Sequence, residues 1–152
     1  MSKEKKSTAV VLAAGQGKRM GMKIQKQFLD LKGKPVLWYS LHAFEASEWI
    51  DEIILVTGGD LVSYCRTEIV EKYGFQKVCA VVAGGAERYH SVYQGLQAIS
   101  DTEQRIVFIH DGARPFLTEE MIERVYKETL KYGACVVGMP VKDTIKIADE
   151  NG

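Results

Sequence analysis

A chain of 152 residues whose 20 lysines and arginines balance 20 aspartates and glutamates has no net charge. That argues against a general nucleic-acid binder and requires any bound anion to be met by a local cluster of cations. Apolar residues at 46%, charged residues at 26% and three prolines exclude a disordered or fibrous chain and fit one globular domain.

The first residues, 1–7, are polar and read as a flexible N-terminus. The apolar run that follows, "AVVLAA", is too short for an export signal, and no stretch approaches membrane-spanning length. A cytoplasmic protein with no membrane partner is expected. "TAVVLAA" has strand length and runs into "AAGQGKRMGMKIQK", which holds four basic residues and no acid. Pro35 stands where the first turn of a helix over "PVLWYSLHAFEAS" begins. "EIILVTG" and "KVCAVVAGG" are two more strands; Val92, Leu96 and Ile99 recur at helical spacing after them. "RIVFIHDG" is a fourth strand. Thr118 then starts a helix whose apolar face is Ile122, Val125, Tyr126 and Leu130. "ACVVGMPV" is expected as a fifth strand, and "DTIKIA" alternates like a half-exposed one before the turn dipeptide Asn151-Gly152.

The strands are continuous apolar runs, as in a parallel sheet covered on both faces. Alternating with helices, they predict a three-layer α/β/α sandwich around a doubly wound, mostly parallel sheet. Residues 1–152 read as one domain that stops early, with 140–152 the start of a β-arm. Cys65, Cys79 and Cys135, set among apolar neighbours, read as buried thiols. His42, His90 and His110 lack metal-ligand spacing, so no zinc site is expected.

In such a sheet the ligand sits beyond the carboxyl ends of the strands. There the tails read "AAGQGKR", "AGGAER" and "HDGARP", each with glycine and arginine. Gly15 and Gly17 permit close backbone approach to phosphate oxygens. The spacing is wrong for a P-loop, because Met20 stands where its second glycine belongs, and one residue too long for the dinucleotide fingerprint. Basic side chains suit a triphosphate, where transfer at phosphorus chiefly needs charge stabilisation. Arg19 and Lys26 are the candidate catalytic cations; Lys18 and Lys23 fit a solvated face equally well. Arg88 and Ser91 fall in the first turn of a helix after Gly84 and Gly85, an anion site or a plain cap. Asp111, at a strand end opposite the basic loop, is a candidate for a magnesium ion or a ligand hydroxyl, or a turn residue.

Together and in this order, "VVLAAGQGKRMG…QKQFLDLKGKPVL", "GGAERYHSVYQGL", "HDGARPFLTEEMI" and "PVKDTIK" resemble the 2-C-methyl-D-erythritol 4-phosphate cytidylyltransferase family of the non-mevalonate isoprenoid pathway. The resemblance implies a Rossmann-like nucleotidyltransferase fold, CTP and an alcohol phosphate as substrates, magnesium as cofactor and a homodimer. It implies that Arg19 and Lys26 stabilise the pentacoordinate phosphorus. Ala13, Ala14, Gly15, Gln16 and Gly17 would hold the nucleotide, with Gly84, Gly85, Ala86, Arg88 and Ser91 around its cytosine and ribose. Asp111, Gly112 and Arg114 match positions near the methylerythritol phosphate, and Thr144 an arm residue reaching the partner subunit's site. Two positions depart from the pattern: Gln25 replaces a frequent proline, and Ala86 a frequent acid. The family also continues past "DENG", so the chain reads as its N-terminal portion. The rival readings are a ribitol-5-phosphate cytidylyltransferase, a CTP-binding module without catalysis, and a nicotinamide-dependent oxidoreductase, which the glycine spacing disfavours.

Overall fold

The structure, a computed structural model, describes residues 3–15, 25–101 and 105–142. In chain order it holds β1 (Ser7–Ala13), a 3₁₀ turn (Lys26–Phe28), a hairpin of β2 (Asp30–Leu31) and β3 (Lys34–Pro35), and α1 (Val36–Ala46). Then come β4 (Glu52–Thr57), a short 3₁₀ turn (Gly59–Leu61), α2 (Val62–Tyr64) running into a π-helical stretch (Cys65–Glu71), and β5 (Val78–Ala83). α3 (Arg88–Gln97), β6 (Ile106–Asp111) and α4 (Glu119–Tyr132) complete it.

The main sheet is parallel, in the order β5-β4-β1-β6, with Thr8 opposite Glu52 and Val107. The chain adds strands to one side of β1, then returns through α3 to add β6 on the other. This reversal is the switch point at which open α/β sheets bind ligands.

Strand alternation explains why β1 is apolar throughout. Ala9, Val11 and Ala13, with Ile53 and Leu55 of β4, pack into the core under α1, the Cys65–Glu71 stretch and α4. Val10, Ile54 and Val56 point the other way and pack with Leu96 and Ile99 at the α3 end. Gly95 lets α3 lie close, since a Cβ there would collide with Val10 Cγ1 and sit 3.1 Å from Val56 Cγ2. The doubly wound sandwich is therefore observed, with the sheet entirely parallel among the described residues.

Helix limits follow local chemistry. The Thr118 hydroxyl accepts from the Met121 N–H at 3.4 Å, Glu119 and Glu120 occupy the first turn of α4, and Gly133 closes it at φ 83°. Pro35 caps α1, one residue before its first turn. The hairpin turns on Lys32 and Gly33, at φ 53° and 83°. Its docking on α1 uses Tyr39 Oη, which donates to the Leu31 carbonyl at 2.6 Å, and Lys34 Nζ, 3.4 Å over the Trp38 ring. Near the N-terminus Lys3 Nζ reaches Asp51 at 2.6 Å, and Tyr126 Oη donates to Lys5 O while accepting from Lys5 N, each at 2.7 Å. Residues 3–7 thus have more anchorage than a free end.

Two expectations need correction. Residues 134–141 form no strand, and Val136, Val137, Met139 and Val141 are exposed. A strand is completed by a neighbour, and among the described residues none pairs with this segment or with the outer edge of β6. Instead a groove of about 1190 Å³ lies between β6, α4 and residues 133–137. Of the three thiols only Cys65 is buried. Cys79 lies on β5, an edge strand with one face partly uncovered, and Cys135 lies in the unpaired segment. Of the expected arm over residues 140–152, residues 140–142 form no strand and 143–152 lie outside the described residues.

Candidate functional site

At the carboxyl end of the sheet, β1 delivers Ala13, Ala14 and Gly15, β5 delivers Gly84 and Gly85, and β6 delivers Asp111 to Arg114. Backbone hydrogen bonds carry the ladder past the strand ends: Gly84 N donates to Thr57 O at 2.7 Å, and Gly112 N to Leu12 O at 2.8 Å. Both glycines are close-approach positions. A Cβ on Gly84 would lie 2.6 Å from Ser91 Oγ and 2.7 Å from Ala14 Cβ; one on Gly112 would lie 2.8 Å from Leu37 Cδ1. The first loop, the Gly84–Gly85 turn and the start of α3 therefore touch.

Ser91 is 4% exposed, and its hydroxyl accepts from Gly85 N at 3.2 Å while donating to Glu87 O at 3.4 Å. It shapes the turn at the α3 N-terminus, where free helix N–H groups favour anions. Ala86 is exposed beside it.

Asp111 is a hub between two arginines. Arg88 donates to Oδ1 from Nε at 3.3 Å and Nη2 at 3.1 Å, while Arg114 Nη2 lies 2.9 Å from Oδ2. Two guanidiniums against one carboxylate leave a net positive charge on an open surface, suited to an anion. The loop that carries Arg114 is fastened from below: Ser40 Oγ on α1 lies 3.0 Å from Gly112 O and 3.1 Å from Arg114 O. His110 Nε2 also lies 3.1 Å from Arg114 O, with its ring edge-on to Phe44. Burial pushes the His110 pKa below its ordinary 6.5, against the opposing pull of Arg114 O and Asp111.

The described residues bring together no ligand set for a protein-held magnesium ion. Both oxygens of Asp111 are engaged by guanidinium groups, and among the described residues no cluster of three His, Cys, Asp or Glu side chains could hold a metal.

Lys26 opens the 3₁₀ turn and is exposed. The neighbouring Gln27 is 4% exposed and turns its amide to the end of β1, with Nε2 2.6 Å from Ala13 O and 3.2 Å from Gly15 O. Thus Ala13, Ala14, Gly15, Lys26, Gly84, Gly85, Arg88, Ser91, Asp111, Gly112 and Arg114 gather at one end of the sheet. Gln16, Gly17, Lys18, Arg19, Lys23 and Thr144 lie outside the described residues. Gln27 and Ser40 have no signature in the sequence that marks them functional. Ser40 does share the buried face of α1 with Leu37, Leu41 and Phe44, and that pattern is legible.

The geometry resembles that of known proteins over nearly the whole chain. A family model described as 2-C-methyl-D-erythritol 4-phosphate cytidylyltransferase matches residues 7–152. The chain belongs to this family. Curated relatives bearing that name include one from Clostridium kluyveri, 48% identical across 97% of this chain and 63% of its own length. Another, from Lachnoclostridium phytofermentans, is 51% identical across 97% and 62%. A solved structure of 4-diphosphocytidyl-2C-methyl-D-erythritol synthase from Anaerococcus prevotii superposes with a TM-score of 0.79 at 32% identity, over 97% of this chain and 60% of that one. The chain thus spans somewhat under two thirds of the length of these relatives.

Proposed function

We propose that this chain carries the nucleotide half of a cytidylyltransferase that moves CMP from CTP to 2-C-methyl-D-erythritol 4-phosphate. An oxygen of the substrate phosphate attacks the α-phosphorus of CTP in line. The bond from that phosphorus to the bridging oxygen of the β-phosphate breaks, and pyrophosphate leaves. The observation that carries this reading is the convergence, at the switch point of the sheet, of the Ala13–Gly15 backbone, Lys26 and the Arg88–Asp111–Arg114 cluster.

The backbone of the first loop and the α3 N-terminus, with Arg88, receive the nucleotide; Arg114 faces the anionic second substrate, and Asp111 joins the two arginines. Lys26, with Arg19, supplies positive charge where negative charge grows on the phosphoryl oxygens during transfer. Magnesium travels on the phosphates of the nucleotide rather than on Asp111. The family's homodimer and a cytoplasmic location belong to the same reading; among the described residues no helix is long and apolar enough to cross a membrane.

The test is calorimetric titration of CTP into the chain and into an Arg19→Ala, Lys26→Ala double variant, with pyrophosphate release measured in a form as long as the relatives. Tight CTP binding that the double variant loses, and turnover of methylerythritol 4-phosphate in preference to ribitol 5-phosphate, is the expected result. Unchanged binding and turnover in the double variant would refute it. CTP binding without turnover in the longer form would leave a binding module.

A further inference from the structure

We propose that Gln27 is a positioning residue for Lys26, holding it against the nucleotide loop through that loop's own backbone. The inference rests on the cytidylyltransferase reading and adds a residue to it.

Gln27 is a buried polar side chain in a turn that needs no glutamine for its own hydrogen bonds. The turn closes through the backbone, from Phe28 N to Gln25 O at 2.9 Å and from Leu29 N to Lys26 O at 3.2 Å. The Gln27 amide is spent elsewhere. Its Nε2 stands 2.6 Å from Ala13 O, 3.2 Å from Gly15 O and 2.6 Å from Gln25 Oε1. Two N–H bonds thus serve three acceptors, the longest contact being shared. Ala13 ends β1, and Gly15 is the last described residue before the basic stretch. The amide therefore fastens the start of the nucleotide loop to the residues on either side of Lys26.

The chemistry selects glutamine. All three acceptors are oxygens, so the pin must donate. A carboxylate would repel them, a lysine would add a second cation beside Lys26, and an apolar residue would leave buried carbonyls unpaired. An apolar pin complements it: Phe28, on the same turn, packs edge-on against Tyr64 at 5.6 Å. With the backbone held at both places, the exposed Lys26 side chain starts from a fixed point at the mouth of β1. Such preorganisation lowers the ordering cost of binding.

The experiment is a double-mutant cycle read by CTP calorimetry on the whole chain, using wild type, Gln27→Met, Lys26→Ala and the double variant. Gln27→Met keeps the side-chain length and removes both donors. CTP affinity should fall about tenfold in Gln27→Met. In the Lys26→Ala background the same change should add little, because the pin has lost the group it aims. The nucleotide-free unfolding midpoint should fall by the same amount in both backgrounds, because the unpaired carbonyls cost stability whether or not Lys26 is present, whereas the loss of affinity should depend on Lys26.

If Gln27→Met does not fold, Gln27→Glu replaces it. Its carboxylate lacks a donor near neutral pH and regains one when protonated, which burial among carbonyl oxygens favours, so its CTP affinity relative to wild type should recover as pH falls from about 7 toward 4. Wild-type affinity in a folded Gln27→Met, simple additivity in the cycle, or a flat pH ratio for Gln27→Glu would each overturn the role of Gln27 while leaving the function standing. Absence of CTP binding in the wild-type chain would overturn both.

Discussion

Arg88 grips a single carboxylate oxygen of Asp111 with two of its nitrogens, Nε at 3.3 Å and Nη2 at 3.1 Å. Because Arg114 takes the other oxygen at 2.9 Å, Asp111 aligns the end of α3 with the loop after β6. Asp111→Asn would keep one acceptor and remove the charge that holds two guanidiniums in register. In a form of the enzyme as long as its relatives, KM for the alcohol phosphate is expected to rise roughly tenfold or more, since charge-assisted hydrogen bonds exceed neutral ones. The magnesium concentration giving half-maximal activity should not change. A large shift in that metal dependence would make Asp111 a metal ligand.

Two glycines separate packing from the site. Gly95→Ala pushes a methyl into Val10 and Val56 beneath α3 and should destabilise the fold by about 1–3 kcal/mol in urea unfolding. Gly84→Ala drives a methyl between Ser91 Oγ and Ala14 Cβ, where the first loop meets the α3 turn. Its main effect should appear in CTP titrations, as weakened affinity.

Asp51 links the N-terminal segment to the sheet in a pH-dependent way. Burial works to raise its pKa, but Lys3 Nζ at 2.6 Å and the Ser7 N–H at 2.8 Å outweigh that and hold it below the ordinary 3.8. A carboxylate with a depressed folded pKa contributes fully above its unfolded value and loses that contribution as pH falls through the folded one. Wild type should exceed Asp51→Asn in stability near neutral pH by less than about 1 kcal/mol, the pair being partly exposed. The two unfolding curves should converge as acid is added below 3.8.

Thiol labelling should proceed in three steps. Cys135 is exposed in the unpaired segment and should react first. Cys79 should follow, because partial burial and the nearby Glu52 raise its pKa and its thiol leans 3.5 Å from Ile53 O. Cys65 is buried, its pKa is raised by burial, and its Sγ sits 3.5 Å from Thr57 Oγ1, so it should react only on unfolding.

Much of the architecture is legible before folding is considered. Four apolar runs of strand length become β1, β4, β5 and β6, and the Thr118 cap and the spacing of Ile122 and Tyr126 mark α4. These features are local, since capping and burial on both faces of a strand act within a few residues. The run 134–141 has the same composition as those strands yet forms none, because a strand is decided by pairing across space. The buried thiols expected at Cys79 and Cys135 fail for the same reason, their neighbours in sequence being poor guides to their neighbours in the fold.

For the site, the chain's order of residues by itself determined which residue types gather at the strand ends, and so the kind of ligand proposed for them. Glycines and cations recur at three strand ends because an anion must be met by backbone amides and fixed charge. Only the tertiary structure decided how those groups are held. It pairs Asp111 with residues 23 and 3 positions away, sets Ser40 beneath Arg114 from 74 positions away, and brings Gln27 back across 12 and 14 positions to the loop that Lys26 must face. Such side chains are polar pins whose partners are carbonyls and carboxylates of other segments. Their identity is written in the sequence, but their partners exist only once the sheet has wound from both sides of β1 and brought its strand ends to one place.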